Sequence, residues 1–101
     1  MIDHIAINVK EIKTSAEWYS NHFGFEISYI DETWAMLKKG QTKIALTLKE
    51  QHPPHIAFLI DSVDDFPSND FKYHRDGSAY LYSKDPDGNV VEYICYNTPE
   101  S

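Results

Sequence analysis

The sequence predicts an α+β fold: two βαβββ modules whose strands form a curved mixed sheet around a central cavity, with the second helix vestigial. Three observations predict it. The triplet His-Ile-Ala occurs twice, at His4-Ile5-Ala6 and at His55-Ile56-Ala57, about half of the 101-residue chain apart. Each copy opens a short apolar run of strand type that a charged residue closes, Lys10 in the first and Asp61 in the second. Three further strand-like runs follow each copy, separated by polar turns. A period of half the chain means two copies of one supersecondary unit. At this length about two thirds of the unfolded surface can be buried, enough for one core. The two units must therefore share that core, within one chain or between chains. The expected organisation is a single domain over residues 1–101, with module one at 1–50, a linker at 51–54 and module two at 55–98.

Residues 2–9 alternate as a strand, with Ile5, Ile7 and Val9 on one face and His4, Ala6 and Asn8 on the other. Thr14-Ser15-Ala16-Glu17 matches a capping box, a hydroxyl at the N-cap and Glu three residues later. The predicted helix runs through Trp18, Tyr19 and His22 and stops at Gly24, a residue suited to the left-handed position after a helix. Residues 25–30, 34–37 and 43–48 read as strands, joined by Asp31-Glu32-Thr33 and Lys39-Gly40-Gln41. Gln51-His52-Pro53-Pro54 opposes helix and ladder alike and forms the linker. Residues 55–60 repeat the first strand. The helix expected next is interrupted by Pro67, so one or two turns are the most that fit. Residues 71–74, 79–83 and 90–96 complete the set, with Asp76-Gly77 and Asp85-Pro86-Asp87-Gly88 as turns.

Composition excludes several functions. Hydrophobic residues make up 42% of the chain and aromatics 14%. No apolar run reaches the roughly 18–20 residues of a membrane helix, and the N-terminus lacks the pattern of a secretory signal. The formal charge of −7 repels phosphate backbones and anionic membranes. Neither nucleic acid nor membrane is expected as a partner. Cys95 is the only cysteine, so no intrachain disulfide forms, which suits a reducing, cytoplasmic setting.

Three residues stand out for chemistry. His4 and His55 open equivalent strands. Glu92 lies inside a final strand that is otherwise apolar or aromatic on both faces. Burying its carboxylate costs several kcal/mol unless a cation pairs with it. Two imidazoles and one carboxylate form a facial set with open positions, suited to Zn, Ni, Mn or Fe. Taken singly, each residue has a plain structural reading: a hydrogen-bonded histidine at a strand start, or a glutamate facing water. Recurrence at the equivalent point favours a site. Strand parity agrees, since the faces carrying His4 and His55 also carry Ala6, Asn8, Ala57 and Leu59. The opposite faces, with Ile5, Ile7, Val9, Ile56, Phe58 and Ile60, read as helix-packing core.

These features resemble the vicinal oxygen chelate superfamily of glyoxalases, bleomycin-resistance proteins, fosfomycin-resistance transferases and extradiol dioxygenases. The resemblance rests on Ile2-Asp3-His4-Ile5-Ala6-Ile7, on the aromatic helix ending in Gly24-Phe25, and on Asp85-Pro86-Asp87-Gly88 leading to Glu92. It implies one divalent metal ion held by His4, His55 and Glu92, and a small-molecule substrate that chelates through oxygen. It implies an enzyme of lyase, transferase or dioxygenase type, or alternatively a metal-free protein that sequesters a small molecule. Members with a fourth protein ligand carry it at the position of Ala45, which cannot ligate, and Thr47 is a poor substitute. That departure disfavours glyoxalase isomerisation and agrees with three-ligand members. Tyr82 matches a pocket-lining tyrosine of the thiol transferases, or else forms a cross-strand aromatic pair. No general base is identifiable, and the catalytic residues stay unassigned. His74 reads as an exposed turn histidine, His22 and His52 as surface or capping residues, and Cys95 as core. With so little second helix, the bulky face of module two, including Phe58, Val91 and Tyr93, is expected to be partly bare, which suggests a homodimer.

Overall fold

The computed structural model describes residues 1–99. They form strands β1 (Ile2–Asn8), β2 (Glu26–Ile30), β3 (Trp34–Lys39), β4 (Thr42–Thr47), β5 (His55–Leu59), β6 (Lys72–Tyr73), β7 (Ala79–Lys84) and β8 (Val90–Cys95), and helix α1 (Ile12–Phe23). The strands lie in one mixed sheet in the order β2-β3-β4-β1-β5-β8-β7-β6. Among the described residues α1 is the single α-helix, and the second half has only the 3₁₀ turn Val63–Asp65. The α+β class and the vestigial second helix are as the sequence predicts.

The chain divides into two compact units, His4–His55 and Met1–Asp3 with the chain from Ile56 onward. In the first, β1 runs parallel to β4, with Ile5 opposite Ile44, Ala6 opposite Ala45 and Ile7 opposite Leu46. Antiparallel β3 and β2 extend it. Helix α1 buries Ile12 and Ala16 against Ala35, Leu37 and Leu46, with Ile7, Val9, Tyr19 and Ile44 around them. Ile12, Ala16 and Tyr19 are spaced to share one helical face.

That spacing overrides the expected capping box. The helix starts at Ile12 with extended Glu11 as its N-cap, and no side chain caps the free N–H groups. Thr14 lies inside the first turn, and its hydroxyl donates to the Glu11 carboxylate. Beginning the helix at Thr14 would leave Ile12 outside it, whereas Ile12 is one of the most buried apolar residues of this unit. The other end is as predicted. Gly24 adopts φ 75° and its N–H donates to Ser20 O at 3.0 Å, while Lys39 Nζ donates to Phe23 O at 2.7 Å. Carbonyls left open by the last helical turn are thereby met.

In the second unit, β5 runs parallel to β8, with Ala57 opposite Glu92, and β7 pairs antiparallel with β8 and with β6. The N-terminus belongs here: Leu59 N–H donates to Met1 O at 2.8 Å. Tyr96 Oη donates to Asp3 Oδ2 at 2.9 Å. In place of a helix, Phe66 packs on Ala79 and Cys95, flanked by Ile60, Val63, Phe71 and Tyr93. Cys95 is thus core, as expected.

The bulky strand faces are less covered than the sequence suggests. Helix α1 reaches Ile7 and Val9 but leaves Ile5 40% exposed. In the other unit the single turn and Phe66 cover Ile60 and part of Tyr93, leaving Ile56 at 38% and Phe58 at 39%. A one-turn element cannot span a five-residue strand, so the bare face expected at Phe58 is present.

Gly24→Ala is predicted to destabilise the protein by about 1 kcal/mol, because a Cβ is strained at positive φ. Crowding adds nothing, since the nearest atom to a Cβ there is Lys39 Nζ at 3.7 Å, an ordinary van der Waals contact. Urea unfolding of the pair measures it; equal midpoints would show that Gly24 is dispensable as a helix terminator.

Candidate metal centre

His4 and His55 belong to the same unit and are both buried. Their rings meet edge to face with centroids 5.7 Å apart. His55 Nδ1 lies 2.9 Å from Pro53 O. A carbonyl oxygen only accepts, so Nδ1 carries the proton and the ring's lone pair is on Nε2. The linker explains the contact: Pro53-Pro54 holds the carbonyl in stiff backbone just before β5. An imidazole oriented by a backbone carbonyl through one nitrogen is set up to ligate through the other.

Two pleats along β1, Asn8 ties the linker to β4: its Nδ2 donates to Thr47 Oγ1 and to His52 O, each at 2.9 Å. Thr47 Oγ1 in turn donates to Ile7 O at 3.3 Å. The hydroxyl considered as a substitute ligand is therefore engaged in holding two strands. Ala6 and Ala45, both buried, face each other across the β1–β4 pair.

Glu92 is 1% exposed, the most buried charged residue among those described. It sits on β8 between register partners Ala57 on β5 and Tyr82 on β7. His55 is one pleat before Ala57 on the same strand. Tyr82 is half-buried, with its ring edge to face on Tyr80 at 5.6 Å. Burial, then the charge of Glu92 and then Tyr80, push its hydroxyl well above the usual phenol range. The aromatic contact of Tyr82 is with Tyr80 on its own strand, which is not the cross-strand pair weighed for it.

His74 overturns its expectation. Its Nε2–H donates to Glu92 Oε2 at 3.1 Å, and its ring stacks on Tyr80 with centroids 3.8 Å apart and planes 13° apart. The turn signal at Asp76-Gly77 is real, but the β6–β7 hairpin folds this histidine back over β8. Asp3 was missed altogether. It is buried and accepts from Tyr96, whose hydroxyl is pushed up by burial first and by Asp3 second. Its position beside His4 in an apolar strand was the available signal. His22 is exposed at the helix end, as expected, with Nδ1 2.9 Å from Trp18 O.

His4, His55 and Glu92 each offer one donor atom, and together they can hold a metal ion. The donor chemistry fits: two imidazoles, one of them oriented through Nδ1, and a carboxylate removed from water. Two cavities of about 520 and 540 Å³ open on the first unit beside Gly24 and Lys38 and beside Glu11 and Ile30; neither is lined by His4 or His55.

Residues 1–93 match the family model described as the Glyoxalase/Bleomycin resistance protein/Dioxygenase superfamily. Among solved structures, the chain resembles Streptomyces coelicolor methylmalonyl-CoA epimerase in complex with 2-nitronate-propionyl-CoA. The identity is 20% and the TM-score 0.72, over 96% of this chain and 97% of that one. A hypothetical protein from Bacillus halodurans C-125 is 18% identical with a TM-score of 0.76, over 100% and 97% of the two chains. Mycobacterium tuberculosis methylmalonyl-CoA epimerase is 16% identical with a TM-score of 0.71, over 93% and 86%. Likeness at these identities shows the fold. No curated relative matches the chain.

The hairpin that carries His74 gives a prediction in pH. Asp76 Oδ1 accepts from Ser78 N at 2.9 Å and Ser78 Oγ at 2.6 Å. These bonds, the hydroxyl first, hold its carboxyl below the usual 3.8. A folded-state value below the unfolded one contributes stability above 3.8 that is lost as pH falls. Asp76→Ala should cost about 1 kcal/mol at neutral pH, and the gap to wild type should shrink in acid below that value. Denaturant midpoints at neutral pH and in acid read it; a gap that grows in acid would reverse the assignment.

Proposed function

The chain belongs to the Glyoxalase/Bleomycin resistance protein/Dioxygenase superfamily, and from that membership we propose a divalent-metal-dependent enzyme acting on a small, oxygen-chelating substrate. Its ligands are His4, His55 and Glu92, in a single domain over residues 1–101. The observation that supports it most is the burial of the whole donor set, with exposures of 8%, 7% and 1% in that order. Ionisable groups so removed from water cost several kcal/mol unless compensated. Zn, Ni, Mn or Fe suits two imidazoles and one carboxylate. When bound, the ion supplies Lewis-acid stabilisation of charge on a substrate oxygen.

The chain's own groups orient and hold. Pro53 O keeps the His55 ring in the ligating tautomer. Tyr82, the proposed pocket contact, stays protonated because burial and Glu92 push its hydroxyl up, so it keeps a proton to donate. Ala45 occupies, opposite Ala6, the register position that Glu92 occupies opposite Ala57. The site therefore has a carboxylate from one half only, which supports a three-ligand chemistry over isomerisation between two carboxylates.

A second reading, a metal-free protein that sequesters a small molecule, has one observation in its favour: His74 gives the Glu92 carboxylate a partner without any metal. Metal content separates the two. Purified protein should carry about one divalent ion per chain, and His4→Ala should lose it along with the upward shift in melting temperature that the ion confers. Equal metal content in wild type and variant would sink the metal reading.

The reading includes a cytoplasmic homodimer. Buried Cys95 is a free thiol, and no helix among the described residues is long and apolar enough to cross a membrane. Ile56 and Phe58 supply the bare apolar face that a second copy would cover. Sedimentation should give a dimer at micromolar concentration, with Phe58→Lys shifting it toward monomer. A monomeric wild type would remove the dimer and leave the metal site standing.

A further inference from the structure

We infer that His74 is a positioning residue for Glu92, holding one carboxylate oxygen so that the other is presented for ligation. The inference rests on the metal reading above and deepens it. His74 is far from the other histidines in sequence and is not among the donors that can hold the ion.

Three constraints fix the imidazole. Its backbone is locked in the hairpin, where His74 N–H donates to Ser78 O at 2.8 Å and Gly77 N–H donates to His74 O at 3.0 Å. Its face is fixed by the stack on Tyr80, with planes 13° apart. Its edge is fixed by the 3.1 Å bond from Nε2 to Glu92 Oε2. The histidine itself is 37% exposed, while the glutamate is 2% exposed by side chain. A half-solvated ring therefore reaches in to a carboxylate that water does not reach. The geometry is that of an outer partner, which sets the rotamer of a ligand without competing for the ion.

A merely structural role is the alternative, with stacking and a buried bond holding the hairpin on β8. Two substitutions separate them. His74→Phe keeps an aromatic ring for Tyr80 and removes the donor. His74→Gln keeps a donor of similar reach and removes the ring. Titration of apo protein with Co²⁺ alone, followed by its visible spectrum, reads affinity and coordination; apo melting temperature reads the fold.

Positioning predicts that His74→Phe weakens Co²⁺ binding about 10- to 100-fold and alters the spectrum, while its apo melting temperature also falls because the buried carboxylate loses a donor. His74→Gln should bind Co²⁺ close to wild type even if its melting temperature falls. Unchanged affinity in His74→Phe, or an equal loss in both variants, overturns the inference. The two readings fail differently. A wild type that binds no Co²⁺, or whose binding survives His4→Ala, removes the metal site and this role together. Binding that His4→Ala abolishes and His74→Phe leaves intact removes only the role of His74.

Discussion

The constraint on which the rest depends is a carboxylate placed inside a sheet. Glu92 occupies the third position of β8, followed by Tyr93, Ile94 and Cys95, and is withdrawn from solvent almost completely. A Val or Ile there would be cheaper, because burying a charge is costly and good pairing only offsets the loss. The neighbours answer this cost one by one. His74 donates to it, and Tyr82 beside it on β7 stays protonated under its influence. Even the short hairpin of β6 and β7 follows, since it carries both His74 and the Tyr80 ring on which His74 lies. Stability alone does not explain so many polar groups gathered around one carboxylate.

The two halves share one scheme and diverge in what they place on it. In each, a histidine lies near the start of a strand, third in β1 and first in β5, an alanine follows two residues later, and that alanine faces a parallel partner strand. The facing residue is Ala45 in one half and Glu92 in the other. Core construction diverges in the opposite sense. The half with Ala45 has a full helix over Leu37 and Leu46; the half with Glu92 has Phe66 and one turn. Polar investment and apolar cover have thus been divided between the halves. The bare Ile56 and Phe58 are the consequence of the lighter cover.

Strands and their order of appearance were legible because period-two patterning and Gly, Pro and Asp turns are local signals. The half-chain repeat was legible for the same reason, and it pointed to His4 and His55. What local signals mislead about is seen at Thr14. The capping-box pattern is satisfied on paper, yet burying Ile12 starts the helix earlier, and the hydroxyl bonds to Glu11 instead. The bulky strand faces were misread through the same gap. Alternation tells which residues share a face, and it does not tell how far a helix reaches along them, so Ile5 reads as core; the bare face at Phe58 was legible from the missing second helix. Thr47 was judged a poor ligand from its chemistry; the structure adds that its hydroxyl is already engaged with Asn8 and Ile7.

His22 and His74 show why side-chain roles are harder to read than elements. Both lie near a turn or helix end, and both stack on an aromatic ring, His22 on Trp18 at 4.2 Å and His74 on Tyr80 at 3.8 Å. In sequence they look alike. They differ in what the ring nitrogen meets. Nδ1 of His22 returns to Trp18 O, one turn back in its own helix, so its bond is a local closure of α1. Nε2 of His74 reaches Glu92, eighteen residues away and two strands over. A bond that closes its own helix can be formed by any histidine so placed, and it carries little information about function. A bond that crosses strands to the most buried charge among the described residues requires hairpin, register and stacking ring to agree, and agreement of that kind is what separates a positioning contact from an incidental one.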